Sequence, residues 1–311
     1  MPTTRSPRRG SLQFWPRSRS KRQYARIRSW ASGNGLLAFP GYKAGMVRAL
    51  YYDTEKKSPT FNETVVIPCT VLECPPLKIF SVRFYKNSLN GLQCSNEIRN
   101  SKLDKFVARK VTVSKKTSSA LPESAEGFSE IRVVVQTQPQ KTGIGKKKPE
   151  LFEASIGGTV QEQLNFAKEN LDKEIAISQV FKNGLFVDIH GVNRGKGVQG
   201  SMKRFGTKRK RHKSEKGVRR NIVGAEGMMR VLHTPPHPGK MGFHLRTQYN
   251  NWILQIIEKP EFKPFNNYGI VKNSCVIIKG SLPGPKNRLL TITRPIRAQL
   301  KEKTVPQLRI I

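Results

Sequence analysis

The chain has 311 residues, 36% of them hydrophobic, with 57 Lys and Arg against 21 Asp and Glu and a formal net charge of +36. Surplus of one sign on that scale excludes charge carried merely for solubility, which is mixed and modest, and directs attention to a polyanionic partner, nucleic acid first. Cys69, Cys74, Cys94 and Cys275 are too few and scattered for a disulfide scaffold and fit a reducing compartment, while no apolar run approaches the about 18 residues of a membrane span.

Residues 1–30 contain Arg5, Arg8, Arg9, Arg17, Arg19, Lys21, Arg22, Arg26 and Arg28 and no acid, interleaved with Phe14, Trp15, Tyr24 and Trp30. No apolar stretch of about 7 to 15 residues follows, so this is not a secretory signal. Guanidinium forks bind phosphate and aromatic faces stack on unpaired bases, so the segment reads as an extended arm. The competing reading is a disordered tail with a non-specific charge role.

Globular sequence is expected from near Phe39. Met46–Tyr52, Thr64–Leu72, Leu77–Tyr85 and Ile131–Thr137 are rich in β-branched and aromatic residues and read as strands. Residues 88–128 have no clear period. Thr159 and Glu162 form a capping-box pair ahead of Val160, Leu164, Ala167 and Leu171, which predicts one amphipathic helix. Glu174–Phe181, Leu185–Val192, Met228–Leu232, Trp252–Ile257, Ser274–Lys279 and Leu289–Thr293 again read as extended. Short strands punctuated by Gly and Pro point to a mainly β chain, a closed or nearly closed barrel with an α/β insertion.

Between Arg194 and Arg220 stand twelve Lys or Arg against one acid, Glu215. Such a stretch repels itself and buries little, so it needs a polyanion to hold one shape. It lies between a strand ending near Val192 and strand-like sequence resuming after Arg246, a loop of about fifty residues, and loops that long are functional or disordered. A rigid barrel would hold its ends together, letting it project as a finger.

Gly195, Gly197 and Gly200 spell G-x-G-x-x-G, but Ser201–Lys213 lacks the apolar periodicity of a dinucleotide-binding helix. The glycines read better as points of close backbone approach, with Lys196, Lys203 and Arg204 beside them for phosphate. Gly143, Gly145 and Lys146–Lys148 lack phosphate-loop spacing. His233 and His237 are four apart, yet Pro235 and Pro236 forbid the helix that would pair them on a metal. Cys69 and Cys74 fall on opposite faces of a strand and read as half-buried. No nucleophile and base arrangement, and no pair of metal-binding carboxylates near the basic regions, can be picked out. The expectation is therefore no catalysis, no cofactor, no metal and no small-molecule substrate.

Several strings resemble one family. Arg194-Gly-Lys-Gly-Val-Gln-Gly-Ser-Met-Lys-Arg-Phe-Gly206 is similar to the central signature of the universal large-subunit ribosomal protein L-three family, archaeal and eukaryotic type. Pro7–Leu12, Phe39–Met46, Gly143–Glu150, Gly239–Thr247 and Lys279–Pro285 match further anchors in the family's order. The resemblance implies a six-stranded Greek-key translation-protein-like barrel with an α/β insertion, a long basic N-terminal arm and a central loop extension. The expected organisation is 1–38 arm, 39–86 first barrel strands, 87–182 inserted α/β region, 183–192 barrel strand, 193–247 basic finger, 248–298 last barrel strands and 299–311 tail. It further implies a structural constituent of the cytoplasmic large ribosomal subunit, binding large-subunit ribosomal RNA and neighbouring ribosomal proteins. The finger is expected to reach toward the peptidyl-transferase centre, and the family acts early in subunit assembly.

Expected RNA contacts are Arg5, Arg8, Arg9, Arg17, Arg19, Arg22, Lys43, Lys146, Lys147, Lys148, Arg194, Lys196, Lys203, Arg204, Lys208, Arg209, Lys210, Arg211, Arg219, Arg220, Arg230, Lys240, His244 and Arg246. Gly195, Gly197, Gly200 and Gly206 are the expected close approaches, and Phe205 and Phe243 either pack or stack. One departure stands out. Family members usually carry a tryptophan at the finger tip, where this chain has Gly224-Ala225-Glu226. Glu226 either meets a cation of a neighbouring protein or reflects a shifted alignment near Met228, Met229 and His233; substitution is preferred because Arg230, Gly239 and Gly242 stay in step. The alternative from another class is a general DNA-binding or chromatin-associated basic protein.

Overall fold

A computed structural model describes residues 8–113, 121–207, 234–297 and 308–310. The chain divides into two compact units, a larger one of Gln23–Val192 with Arg246–Ile311 and a smaller one of Met1–Arg22 with Asn193–Leu245.

In chain order come β1 (Gly35–Leu36), β2 (Ala38–Tyr52), β3 (Thr64–Glu73), β4 (Lys78–Ser88), β5 (Gly91–Arg99), β6 (Glu130–Gln136) and β7 (Leu151–Gly157). Helices α1 (Val160–Asn170) and α2 (Ile177–Val180) and strand β8 (Phe186–Val192) follow. The smaller unit contributes β9 (Val198–Gln199), α3 (Ser201–Phe205) and β10 (Gly239–Lys240). Then come β11 (Leu245–Ile257), β12 (Cys275–Lys279), β13 (Leu289–Thr293) and β14 (Leu308–Ile310).

One sheet has the order β13-β8-β11-β12-β3-β2-β14, and β13 also pairs with β2, so six strands close into the expected barrel. Closure depends on β2. Its first residues pair with β13, Phe39 opposite Ile292, and its later ones with β3 as far as Tyr52 opposite Thr64. A register shift between Lys43 and Gly45 bends the strand where the two partnerships meet. Gly45 is required there, because a Cβ would stand 2.4 Å from the Phe265 ring. Outside the ring, β14 pairs with β2 through Leu308 opposite Tyr51.

Alternation along β12 buries both of its faces. Val276 and Ile278 join one core cluster with Phe39, Leu72 and Ile292, while Ile277 joins another with Ile67, Cys69 and Trp252. Each such aliphatic side chain contributes about 1.5 to 3 kcal/mol by leaving water.

The second sheet runs β1-β7-β6-β4-β5. α1 begins with the expected capping box, Thr159 accepting from the Glu162 amide while Glu162 accepts from the Thr159 amide. Leu164 and Ala167 then enter the same cluster as Val133, Ala154 and Ile156. Gln163, on the buried face, uses both ends of its amide, accepting from Ile131 N at 2.8 Å and donating to Gly158 O at 3.1 Å.

Four sequence readings change. Lys78–Ser88 pairs with β5 and β6 rather than in the barrel, and the chain switches sheets at Pro75-Pro76, which have no N–H for a ladder. Glu174–Phe181 is not extended beyond a bridge at Ile175; burial of Ile177 and Phe181, four apart, favours a turn of helix. Packed chain begins before Phe39, since Ala25 is buried and Tyr24, Ile27 and Trp30 lie against the core. Cys69 and Cys74 are fully buried, not half-buried, and occupy separate clusters. Residues 88–128, illegible in sequence, include β5, which forms a hairpin with β4, and a 3-10 turn at Lys105–Arg109.

Buried polar groups anchor the loops. Glu73, fully inaccessible, accepts from Tyr268 Oη at 2.5 Å, from the amides of Lys272 and Asn273 at 2.9 Å, and from Asn273 Nδ2 at 2.7 Å. His190 sits between Thr293 Oγ1 at 3.0 Å and Thr247 Oγ1 at 2.9 Å. Among the described residues no helix is long and apolar enough to cross a membrane.

Candidate nucleic-acid interface

The loop after β8 is built as a narrow stem. Asn193 N donates to His244 O at 3.0 Å, and its side-chain oxygen accepts from His244 N at 2.7 Å. Lys196 N donates to Met241 O and Met241 N to Gly197 O, both at 2.9 Å, and β9 then pairs with β10, Val198 opposite Lys240. Gly200 caps the start of α3, and Gly206, at φ +66°, ends it in the left-handed conformation suited to glycine. Closest passage of the two stem strands is at Gly242, where a Cβ would lie 2.1 Å from Arg194 O.

Of the glycines singled out in sequence, Gly195 has only ordinary contact with Phe243, at 3.5 Å, and Gly197 has no atom of the protein near a Cβ position. Gly197 is instead placed by its φ of +67°. Gly242 was missed as a close approach because it falls outside the G-x-G-x-x-G string.

The arm lies along this stem within the same unit. Ser20 N donates to Phe243 O at 2.8 Å. His244 Nδ1 stands 2.8 Å from Ser18 O; a carbonyl only accepts, so this nitrogen carries the proton. Arg8 donates to Thr234 O at 2.8 Å and Arg9 to Gly206 O at 2.8 Å. Trp15 stacks on Phe205, and the Arg17 guanidinium lies 4.4 Å from the Phe205 centroid. Gly10 permits this packing, since a Cβ there would meet Phe205 at 2.6 Å.

The stem thus uses some arginines internally and presents other cations to solvent. Arg204 donates to Lys240 O at 3.1 Å and to His237 O at 3.0 Å, and burial followed by the Arg17 charge lowers its pKa. Arg19, Arg22, Arg194, Lys196, Lys203 and Lys240 are exposed. Among the described residues this unit contains eleven Lys or Arg and no Asp or Glu. Ion pairs such as Arg132–Glu130 at 2.7 Å and Lys141–Glu174 at 2.8 Å belong to the larger unit.

Remaining expected contacts lie elsewhere. Lys43 is buried, its ammonium donating to Leu282 O at 2.7 Å and Gly284 O at 3.2 Å, which commits it to holding a barrel loop. His244 is likewise buried and positions the arm. Lys147 and Lys148 are exposed in the larger unit and Arg246 is half-buried there. Lys146 meets Glu150, while burial and then repulsion from Lys110, Arg288 and Lys148 draw its pKa down to about 8. Arg5, Lys208, Arg209, Lys210, Arg211, Arg219, Arg220 and Arg230, with Glu226 and the expected strand at Met228–Leu232, lie outside the described residues. No group of three or more His, Cys, Asp or Glu suited to a metal occurs among the described residues.

Fold and charge define a β-barrel protein with a second, strongly basic unit whose described residues include no acid. Comparison with known proteins places that description in a family. The family described as ribosomal protein L3 matches residues 1–310. The large ribosomal subunit protein uL3 of Methanococcus maripaludis strain C7 is 43% identical over 98% of this chain and 96% of its own length. Its counterpart from Methanocaldococcus jannaschii is 42% identical over 98% and 96%, and that from Archaeoglobus fulgidus 41% over 94% and 92%. The chain belongs to the ribosomal protein L3 family.

Proposed function

We propose that this protein is a non-catalytic structural constituent of the large ribosomal subunit that binds large-subunit ribosomal RNA through its arm and basic loop. The observation that carries the reading is the charge of the smaller unit's described residues: eleven cations and no acid among them, on a backbone held there by hydrogen bonds and ring packing. Crowded like charges stay together at low cost only when phosphate neutralises them. In this reading the loop reaches toward the peptidyl-transferase centre, the larger unit meets neighbouring ribosomal proteins, and early binding lets the arm and loop organise RNA during assembly.

Sedimentation of cell extract through a magnesium-containing gradient tests the assignment. The protein should travel with the large subunit, and its affinity for large-subunit RNA should fall about 10³ to 10⁵-fold between 50 and 200 mM salt if six to ten phosphates are contacted. Free protein with none in the large subunit would overturn it.

A further inference from the structure

The smaller unit contains a cavity of about 280 Å³ that the stem and arm contacts leave open. It is lined by Arg19, Val198, Lys240, Met241 and Phe243, with Gly195, Gly197 and Gly242. Resting on the ribosomal RNA reading, we propose that this cavity receives one unstacked base of the RNA, with Arg19 and Lys240 holding the phosphates on either side of that nucleotide.

Three features select this occupant. The cavity's lining is mostly apolar and includes two cations, Arg19 and Lys240, a pairing that suits a planar base attached to an anionic backbone better than phosphate alone. Its volume lies just below the about 300 to 1,000 Å³ of sites for drug-sized ligands, enough for a base. Access is also built in: a Cβ at Gly197 would meet nothing within 4 Å, and Val198 is 71% exposed. The walls are positioned firmly, because Met241 is bonded through its backbone to Lys196 and Gly197, and Phe243 O accepts from Ser20 N. Single-stranded bases splayed from their stacks are the usual targets of RNA-binding side chains.

The test uses assembled large subunits probed with dimethyl sulfate, which reads the Watson–Crick edges of unpaired A and C, and with hydroxyl radicals, which read the backbone. With the wild-type chain, at least one unpaired base should be protected; with Val198→Trp, whose indole fills the cavity, that base should become reactive at least fivefold while backbone protection elsewhere persists. An identical base pattern in both would overturn the cavity assignment and leave RNA binding standing. Loss of every backbone footprint with the wild-type chain would overturn both. Should Val198→Trp fail to assemble, ultraviolet crosslinking of wild-type subunits decides: a nucleotide joined to Val198, Met241 or Phe243 supports the inference, and crosslinks from these residues only to protein, or only from residues elsewhere, overturn it.

Discussion

The ring of Trp15 lies nearly parallel to that of Phe205, with centroids 6.0 Å apart and planes 11° from one another. A residue of the N-terminal arm is thereby fixed on the one-turn helix at the base of the central loop. Trp15, which in sequence could serve as a surface for RNA bases, has a protein ring on one face instead, with the Arg17 guanidinium 5.5 Å from its centroid.

Phe205→Ala should free the arm. Removing a buried phenylalanine costs about 3 to 5 kcal/mol in a well-packed site, and here that loss falls on the smaller unit. Limited trypsin digestion of the free protein should cleave after Arg17, Arg19 or Lys21 at least tenfold faster than in wild type, and an unchanged cleavage rate would contradict the packing.

Gly242→Ala and Gly197→Ala separate the two reasons for glycine in the stem. Both positions have positive φ, +77° and +67°, so each substitution carries about 1 to 2 kcal/mol of backbone strain. Only Gly242 also passes a carbonyl within 2.1 Å of a Cβ. Amide exchange at Lys196 and Met241 should accelerate much more in Gly242→Ala; equal acceleration would show that conformation alone matters.

Glu73 predicts a stability hierarchy in the larger unit. Tyr268→Phe removes one donor to the buried carboxylate and should cost about 1.5 to 3 kcal/mol. Glu73→Ala leaves the amides of Lys272 and Asn273 without their acceptor and should cost more, about 3 kcal/mol or above. Urea denaturation measures both, and the reverse order would show that the network is not the main anchor.

His190 supplies a pH response. Burial lowers its pKa, opposed by the Asp188 charge, so the folded state holds the imidazole neutral between its two threonines. A depressed pKa means the unfolded chain binds the proton first. The contribution is fully present above the unfolded value of about 6.5 and is lost as pH falls from there toward the lower folded pKa, at up to about 1.4 kcal/mol per unit. Melting temperature should therefore drop between pH 7.5 and 5.5, and His190→Gln should flatten that drop. A slope unchanged by the substitution would assign it to other groups.

Much of this was legible locally. Strand periodicity, the Thr159–Glu162 cap and the dense cation runs are written in residues a few positions apart, and family anchors along the chain named the barrel before any pairing was visible. What the tertiary structure alone decided was partnership. Nothing local could tell that β4 would leave the barrel, that β13 would close it on β2, or that Lys43 would spend its charge on two carbonyls.

The same division runs through the basic unit. Sequence alone determined its formal charge, and therefore the kind of partner it requires, because that charge is a sum over residue types and does not depend on which residues pair. Which cations face solvent, and which hold the stem together, depended on pairings between residues far apart, such as Arg8 with Thr234 across 226 positions. A local pattern carries no record of such distances; only the packed chain brings the partners within reach.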